Sequence, residues 1–171
     1  RTRYIRYYRK IDSRRHRVAQ MNTFILSRDP VEAARYHCNK HVVKMILESA
    51  QMLCAAHWLH LLKKEGKTIN DFKRVRDAQQ WAYDNTEKDI QPPWKMSHLR
   101  HPCTIWTAEN ISNYCWQLRL CESLLVEYTK RYKKHHKTEV EASWLRENYP
   151  IGISGDALSD FPVCMKEEYK I

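Results

Sequence analysis

Residues that form turns are scarce in this sequence, which has only 3 glycines and 6 prolines in 171 residues. Both interrupt helices, so their scarcity favours a mainly helical protein. Hydrophobic residues make up 43% of the chain, which is enough to build a core and argues against global disorder. The sequence therefore predicts a mainly α fold: a compact helical single domain over residues 1–171, with a long central helix and a loop-rich C-terminal segment.

Two other absences concern location. The sequence has no run of about 18 apolar residues and no signal-peptide core, so we expect neither a membrane-spanning helix nor secretion. No two of the 6 cysteines stand in a C-x-x-C spacing, which argues against a zinc ribbon or a disulfide framework. We interpret the cysteines as reduced core thiols and expect a cytoplasmic location.

Positive charge is concentrated at the start of the chain. The net charge is +10, and residues 1–20 hold eight Arg or Lys against a single Asp. A basic arm of this kind suits a polyanionic partner, most often nucleic acid. Tyrosines alternate with these arginines and are able to stack on bases or pack against protein. We predict that Arg6 and Arg9 contact DNA; the alternative is a solvated tail that only aids solubility.

The first predicted helix runs from Val31 to about Leu62. Asp29 is a typical N-terminal cap, Pro30 suits the first helical turn, and Gly66 ends the helix.

Two more helices are predicted further along the chain. One falls within residues 68–89, and the other, the long helix, runs from about Cys103 to Lys133. Apolar residues at helical spacing support the first, namely Phe72, Val75, Ala78 and Ala82. The predicted core stripe of the long helix is Ile111, Tyr114, Leu118, Cys121, Leu125 and Tyr128. From Ser143 onward we expect mostly loop.

The first predicted helix carries a line of polar residues on an otherwise apolar surface. Steps of 4, 3, 4 and 3 residues separate its members, which are His37, His41, Lys44, Glu48 and Gln51. This spacing places them on one stripe of a helix. A solvent-facing stripe is the simpler interpretation. The narrow width and the histidines favour the wall of a cleft instead.

These residue types offer acid–base and nucleophilic chemistry. A histidine donates or accepts protons near neutral pH, and Glu48 beside Lys44 is suited to act as a general base. Lys44 or Lys40 is a candidate amine nucleophile. His37 and His41 also have the spacing of two metal ligands, but no third ligand is clearly placed. We therefore predict neither a metal nor another cofactor.

Two further clusters are candidates for phosphate binding. His98, Arg100 and His101 precede the long helix, where a helix N-terminus favours anions; a capping loop is the alternative. The second cluster is the basic run at the end of that helix. Its predicted DNA contacts are Arg131, Lys133, Lys134 and Lys137. A solvated helix end is the alternative for this run.

Several motifs resemble those of a family of small phage proteins, the pyrimidine dimer DNA glycosylases of the endonuclease V type. The likeness covers about residues 21–60 and 96–138. The matching motifs are "MNTF", "YHCNKHVVKMILESAQML", "HP-x-x-x-W", "NY-x-W" and "EYTKRY", and "FPVCMKEEYK" near the end also fits. The resemblance implies an all-helical, DNA-binding enzyme that acts in a phage-infected bacterial host.

The resemblance also implies roles for particular residues. Enzymes of this family use an N-terminal amine to attack the sugar C1′ of a damaged nucleotide, assisted by a helix glutamate that follows a histidine by seven residues. His41 and Glu48 have that spacing, so Glu48 matches the catalytic carboxylate, with His37, His41 and Gln51 positioning the sugar or phosphate. The flanking arginines are replaced here, and Lys40 or Lys44 would supply the amine.

Two alternatives to a DNA glycosylase stay open. In the first alternative, the protein is an enzyme of phage modified-base or nucleotide metabolism. In the second, it binds nucleic acid without catalysis, and the polar stripe is structural.

The chain ends also suggest a rearrangement. "RYIRYYRK" at the start resembles the family's C-terminal tail, which predicts a circular permutation with Arg1 close to Ile171 and the arm near Tyr169.

Overall fold

A computed structural model describes residues 23–162 of the chain, and within that range all regular structure is helical. The helices are α1 (Pro30–Tyr36), α2 (Asn39–Lys64), α3 (Val75–Asn85), α4 (Pro102–Glu109), α5 (Ile111–Tyr132) and α6 (Glu139–Glu147). They confirm the predicted mainly α domain. The basic arm with Arg6 and Arg9, and the permutation of Arg1, Tyr169 and Ile171, lie outside the described residues.

Helix α2 is the central element. From Met45 to Leu62 every residue is buried except Leu47, Gln51 and Leu59. Helices α4 and α5 pack along α2, and α1 packs on α5. The first half of α2 belongs to the main core with α1, α5 and α6, and its second half forms a smaller core with α3. A helix buried on most sides leaves only narrow strips that can face a ligand.

The first predicted helix is two helices, so the prediction of a continuous helix was wrong at residues 37–38. Asp29 caps α1 as predicted and accepts a hydrogen bond from the Glu32 amide at 2.8 Å. At His37 and Cys38 the backbone is extended, and α2 begins at Asn39. The sequence has no glycine or proline there to mark the break.

The long helix also breaks where one helix was predicted. Asn110 has extended backbone and accepts a hydrogen bond from the Asn113 amide at 2.9 Å, so it caps α5. The predicted core stripe of α5 is otherwise confirmed. Its middle members, Tyr114, Leu118, Cys121 and Leu125, are buried.

Helix α3 starts at Val75, so Phe72, which belongs to the apolar pattern predicted for this helix, lies before it. Helix α6 covers the first five residues of the segment expected to be loop, and residues 148–162 contain no helix. No helix within residues 23–162 is long and apolar enough to cross a membrane.

Burial separates the five cysteines within residues 23–162 into two groups, and Cys164 lies outside the described residues. Cys54 and Cys121 are buried, and burial raises the pKa of each thiol to about 12. Cys103 is buried as well. Cys38 and Cys115 are exposed, so the prediction of core thiols was wrong for these two.

Candidate functional site

Four members of the predicted polar stripe lie on α2, and their exposure differs. Lys44 is exposed, His41 and Gln51 are half-buried, and Glu48 is only 7% exposed. Residues three and four apart on a helix are surface neighbours, so these side chains form one continuous strip. The shared stripe is confirmed for these four residues, and it was wrong for His37, which lies before α2 begins. The roles of its members stay predictions.

Glu48 and Lys44 form an ion pair across one helical turn. Lys44 Nζ lies 2.8 Å from Glu48 Oε1, and the lysine side chain is 61% exposed against 9% for the glutamate. The Glu48 carboxylate is thus buried, whereas the amine that it contacts is accessible from solvent. This is a suitable arrangement for passing a proton between the two groups.

The loop before α4 brings two more titratable groups to this strip. Burial lowers the pKa of His101, as does positive charge at His98, while the Glu48 carboxylate raises it in part. Glu48 is therefore near enough to His101 to act on its charge. His101 also caps α4, since its Nδ1 accepts from the Cys103 amide at 3.2 Å. Glu48 and His101 thus come near each other from two separate parts of the sequence, which was not predicted from the sequence.

His98 has an unusual backbone. Its φ is 51°, in the left-handed region that residues other than glycine rarely adopt, and its carbonyl accepts from the His101 amide at 2.9 Å. Strain of this kind is often found where a side chain is held for function. The tight turn fixes the backbone of His98 relative to His101.

Sequence reasoning missed Phe24, which closes the other end of the strip. Its ring stacks on His41 with centroids 4.7 Å apart and planes 7° apart. The His37 ring lies 6.2 Å from Phe24 and 6.3 Å from His41. The apolar run "TFIL" indicated only a buried segment, so no sequence signal linked Phe24 to His41.

Thr23 was missed as well. Its hydroxyl lies 3.4 Å from Met52 Sδ and 3.2 Å from Gln117 Oε1. Met52 is one turn beyond Glu48 and packs against Cys103. The segment that starts at Thr23 therefore runs along the same side of α2 as the candidate site.

His37 is separated from the strip by the helix break. It is 2% exposed, its Nδ1 lies 2.7 Å from the Ala33 carbonyl oxygen, and burial lowers its pKa. A neutral ring with Nδ1 donating to that carbonyl caps the end of α1. His37 thus supports the helix end and also lies beside His41.

Arg131 is embedded in the protein rather than extended into solvent. It donates to the carbonyls of Arg35 at 3.1 Å and His37 at 2.7 Å, and it pairs with Glu127 at 2.8 Å. Arg100 likewise donates to the carbonyls of Ile69 and Phe72 at 3.0 and 2.8 Å. These contacts give both arginines a structural task beside the DNA contacts predicted for them.

The remaining predicted DNA contacts lie on the surface. Lys133, Lys134 and Lys137 are exposed in the connection between α5 and α6. Lys133 adopts left-handed backbone with φ 55°, which turns the chain away from α5. Three flexible ammonium groups on one turn suit phosphate contacts.

Within residues 23–162 no three His, Cys, Asp or Glu side chains are grouped so that they could hold a metal ion. Comparison of the chain with known protein families, curated proteins and solved structures finds no match.

Proposed function

We propose that this protein binds DNA and acts on a damaged or modified nucleotide at the bond between C1′ and the base, as the pyrimidine dimer DNA glycosylases it resembles do. The observation that carries the proposal is the contact of 2.8 Å between the exposed Lys44 amine and the buried Glu48 carboxylate. This pair combines a nucleophile with a proton acceptor.

The reaction begins with proton transfer. Lys44 attacks only as a neutral amine, and Glu48 lies at hydrogen-bond distance to accept its proton. The bond from Nζ to C1′ forms while the bond from C1′ to the base breaks. The base leaves with the bonding electron pair and is protonated by water. The C1′–O4′ bond then opens with its electron pair on O4′, which takes one of the two protons on Nζ. C1′ and Nζ are left joined as an iminium ion that keeps the other proton.

Three aromatic rings suit the task of holding the sugar and base. Phe24 and His41 are stacked on each other, and the outer face of this stack is suited to an unpaired base. Because burial lowers the pKa of His101, its ring is neutral at pH 7 and is able to hydrogen-bond the sugar or phosphate.

The variant Glu48→Gln tests the proposal. Duplexes with one thymine dimer or one abasic site are the substrates, and cleavage and binding are measured separately. Glu48→Gln removes the proton acceptor but keeps the side-chain size. We expect cleavage to fall at least ~100-fold, with DNA affinity within about twofold. Glu65→Gln, at the exposed end of α2, is the matched control and should leave both unchanged.

Two results count against the proposal. Unchanged cleavage by Glu48→Gln would mean that the Lys44–Glu48 ion pair has only a structural role in α2. Salt-sensitive binding without cleavage of either duplex would favour the non-enzymatic alternative.

A further inference from the structure

A cleft opens between the second half of α2 and the C-terminal end of α6. Its volume is ≈260 Å³, just below the ~300 Å³ at which sites for drug-sized ligands begin, so its ligand should be small. Its walls come from α2, from α6 and the chain just after it, and from the short 3₁₀ helix Lys88–Ile90. The cleft shares no lining residue with the strip that holds Glu48, and it goes beyond the proposed function.

His57 presents an unused hydrogen-bond acceptor to this cleft. The Tyr114 hydroxyl donates to the Leu145 carbonyl at 3.1 Å, so its oxygen is left to accept from His57 Nε2 at 3.0 Å. Burial lowers the pKa of His57 to about 3, so the ring is neutral at pH 7 and Nδ1 carries a lone pair. Within residues 23–162 this Nδ1 makes no hydrogen bond.

The Nδ1 atom is accessible from the cleft although the His57 side chain is only 4% exposed. The described chain does contain unpartnered polar atoms that are fully enclosed, such as His37 Nε2, but His57 Nδ1 is not one of them. Because His57 lines the cleft, the accessible surface of Nδ1 opens into it. A ligand with an N–H group would therefore satisfy an acceptor that the fold leaves without a donor.

The walls of the cleft carry two carboxylates without a cationic partner. Asp89 and Glu147 are exposed, and within residues 23–162 neither forms an ion pair. Arg146, the neighbour of Glu147 on α6, pairs instead with Glu122 at 2.8 Å. No lysine or arginine of the described chain lines the cleft. Negative charge is thus concentrated here on a protein whose net charge is +10, and it favours a cation.

The rest of the lining is mostly apolar. It is supplied by Leu61, Ile90, Trp144 and Ile151. The centroid of the Trp144 ring system lies 5.1 Å from that of His57, so the apolar wall adjoins the free acceptor. Such a surface suits the methylene chain of a ligand whose polar end lies at His57.

We infer that this cleft binds a small primary alkylammonium ion. One N–H of the ammonium group would donate to His57 Nδ1, its charge would be balanced by Asp89 and Glu147, and its methylene chain would pack on the apolar wall. Charges act over about 8 Å at physiological salt, so carboxylates on the walls of so small a cleft attract a cation anywhere within it. An anion would be repelled, and a quaternary ammonium ion has no N–H for Nδ1.

Titration followed by nitrogen NMR of the histidine rings tests the inference, because it reports both the affinity and the state of Nδ1. Butylammonium should shift the His57 Nδ1 signal as that atom accepts a hydrogen bond. Butyltrimethylammonium keeps the charge without an N–H, and butanol keeps a donor without the charge. We expect each of these to bind at least ~5-fold more weakly than butylammonium, and butyltrimethylammonium to leave the Nδ1 signal in place.

A double variant tests the two carboxylates. Asp89→Asn combined with Glu147→Gln should weaken butylammonium at least ~10-fold, because it removes both negative charges from the cleft. Glu65→Gln combined with Asp156→Asn is the matched control, since these exposed residues do not line the cleft and their replacement changes the net charge equally. The control should bind as the unaltered protein does, and both double variants should melt at the temperature of that protein.

Three results would overturn the inference. They are an unmoved His57 Nδ1 signal at high butylammonium concentration, equal binding of butylammonium and butanol, and unchanged binding by the variant of Asp89 and Glu147. None of them affects the cleavage test at Glu48.

A lysine side chain of another protein offers the same ammonium group as a free amine. Acetyl-lysine methylamide, acetylated only at the α-amine, carries a peptide bond on each side of the residue and separates the two sources. Tighter binding of this compound than of butylammonium assigns the cleft to a protein lysine. Equal or weaker binding assigns it to a free amine. Absence of binding by both compounds overturns the inference.

Discussion

His57 is kept neutral by its surroundings. Its Nε2 lies 3.0 Å from the Tyr114 hydroxyl, and that hydroxyl donates to the Leu145 carbonyl at 3.1 Å. The tyrosine oxygen therefore accepts from the His57 N–H, which links α2, α5 and α6. Burial lowers the pKa of His57 to about 3, and His60 acts in the same direction.

We predict that this histidine makes the fold sensitive to acid. Below its ordinary pKa of 6.5 the unfolded chain takes up a proton that the folded protein does not accept until about pH 3. Stability is therefore complete above pH 6.5 and is lost as the pH falls, at up to ~1.4 kcal/mol per pH unit. Urea unfolding at pH 7 and pH 5 should show a smaller loss for His57→Gln than for the unaltered protein.

The exposed His135 provides the control for this measurement. His135→Gln should keep the full pH dependence, because that side chain is 80% exposed. Equal losses of stability in the unaltered protein and in His57→Gln would contradict the assignment.

At the scale of helices, Arg131 holds the break between α1 and α2. Its guanidinium donates hydrogen bonds to two carbonyls at the end of α1 and forms an ion pair with Glu127 on α5. A planar, forked donor is needed for these simultaneous bonds, and lysine offers only a point charge.

Replacement of Arg131 by lysine should destabilise the protein by about 2 kcal/mol, because bonds to charged groups are lost at a site 21% exposed. Urea unfolding measures the loss. Lys130→Met, which affects a weaker contact of 3.7 Å to Glu127 from a side chain 71% exposed, should change stability by less than about 0.5 kcal/mol. Equal unfolding midpoints for Arg131→Lys and the unaltered protein would refute this role.

The sequence predicted the type of the main helices but not all their ends. The carbonyls at the break near His37 bind Arg131, which is distant in the sequence, so no local signal could reveal this contact. The break at Asn110 did carry a signal, since asparagine is a good N-cap, but the apolar pattern on both sides concealed it. The polar strip followed from helical spacing alone. The approach of His101 to Glu48 and the stacking of Phe24 arise from packing between segments, which spacing does not encode.

At the scale of the whole molecule, exposed lysines form a basic turn between α5 and α6. Lys133, Lys134 and Lys137 are predicted to contact DNA phosphates. Changing all three to glutamine should weaken duplex binding and reduce the slope of affinity against salt concentration by about 0.9 for each phosphate that the protein no longer neutralises. Binding isotherms at several salt concentrations measure both effects.

A control variant that loses the same charge at another place distinguishes an effect of the basic turn from an effect of net charge. Lys63, Lys64 and Lys67 are exposed at the far end of α2, and their triple change to glutamine should leave the slope nearly unchanged. Similar effects of the two triple variants would mean that overall charge alone attracts DNA.

Covalent trapping identifies the amine that attacks C1′. Borohydride reduces an iminium ion between the protein and an abasic site to a stable amine, and peptide mapping identifies the attached residue. We predict an adduct at Lys44, a yield at least ~10-fold lower in Lys44→Arg, and an unchanged yield in Lys40→Arg. No adduct, or an adduct at another residue, would contradict the claim that the Lys44 amine beside Glu48 attacks C1′.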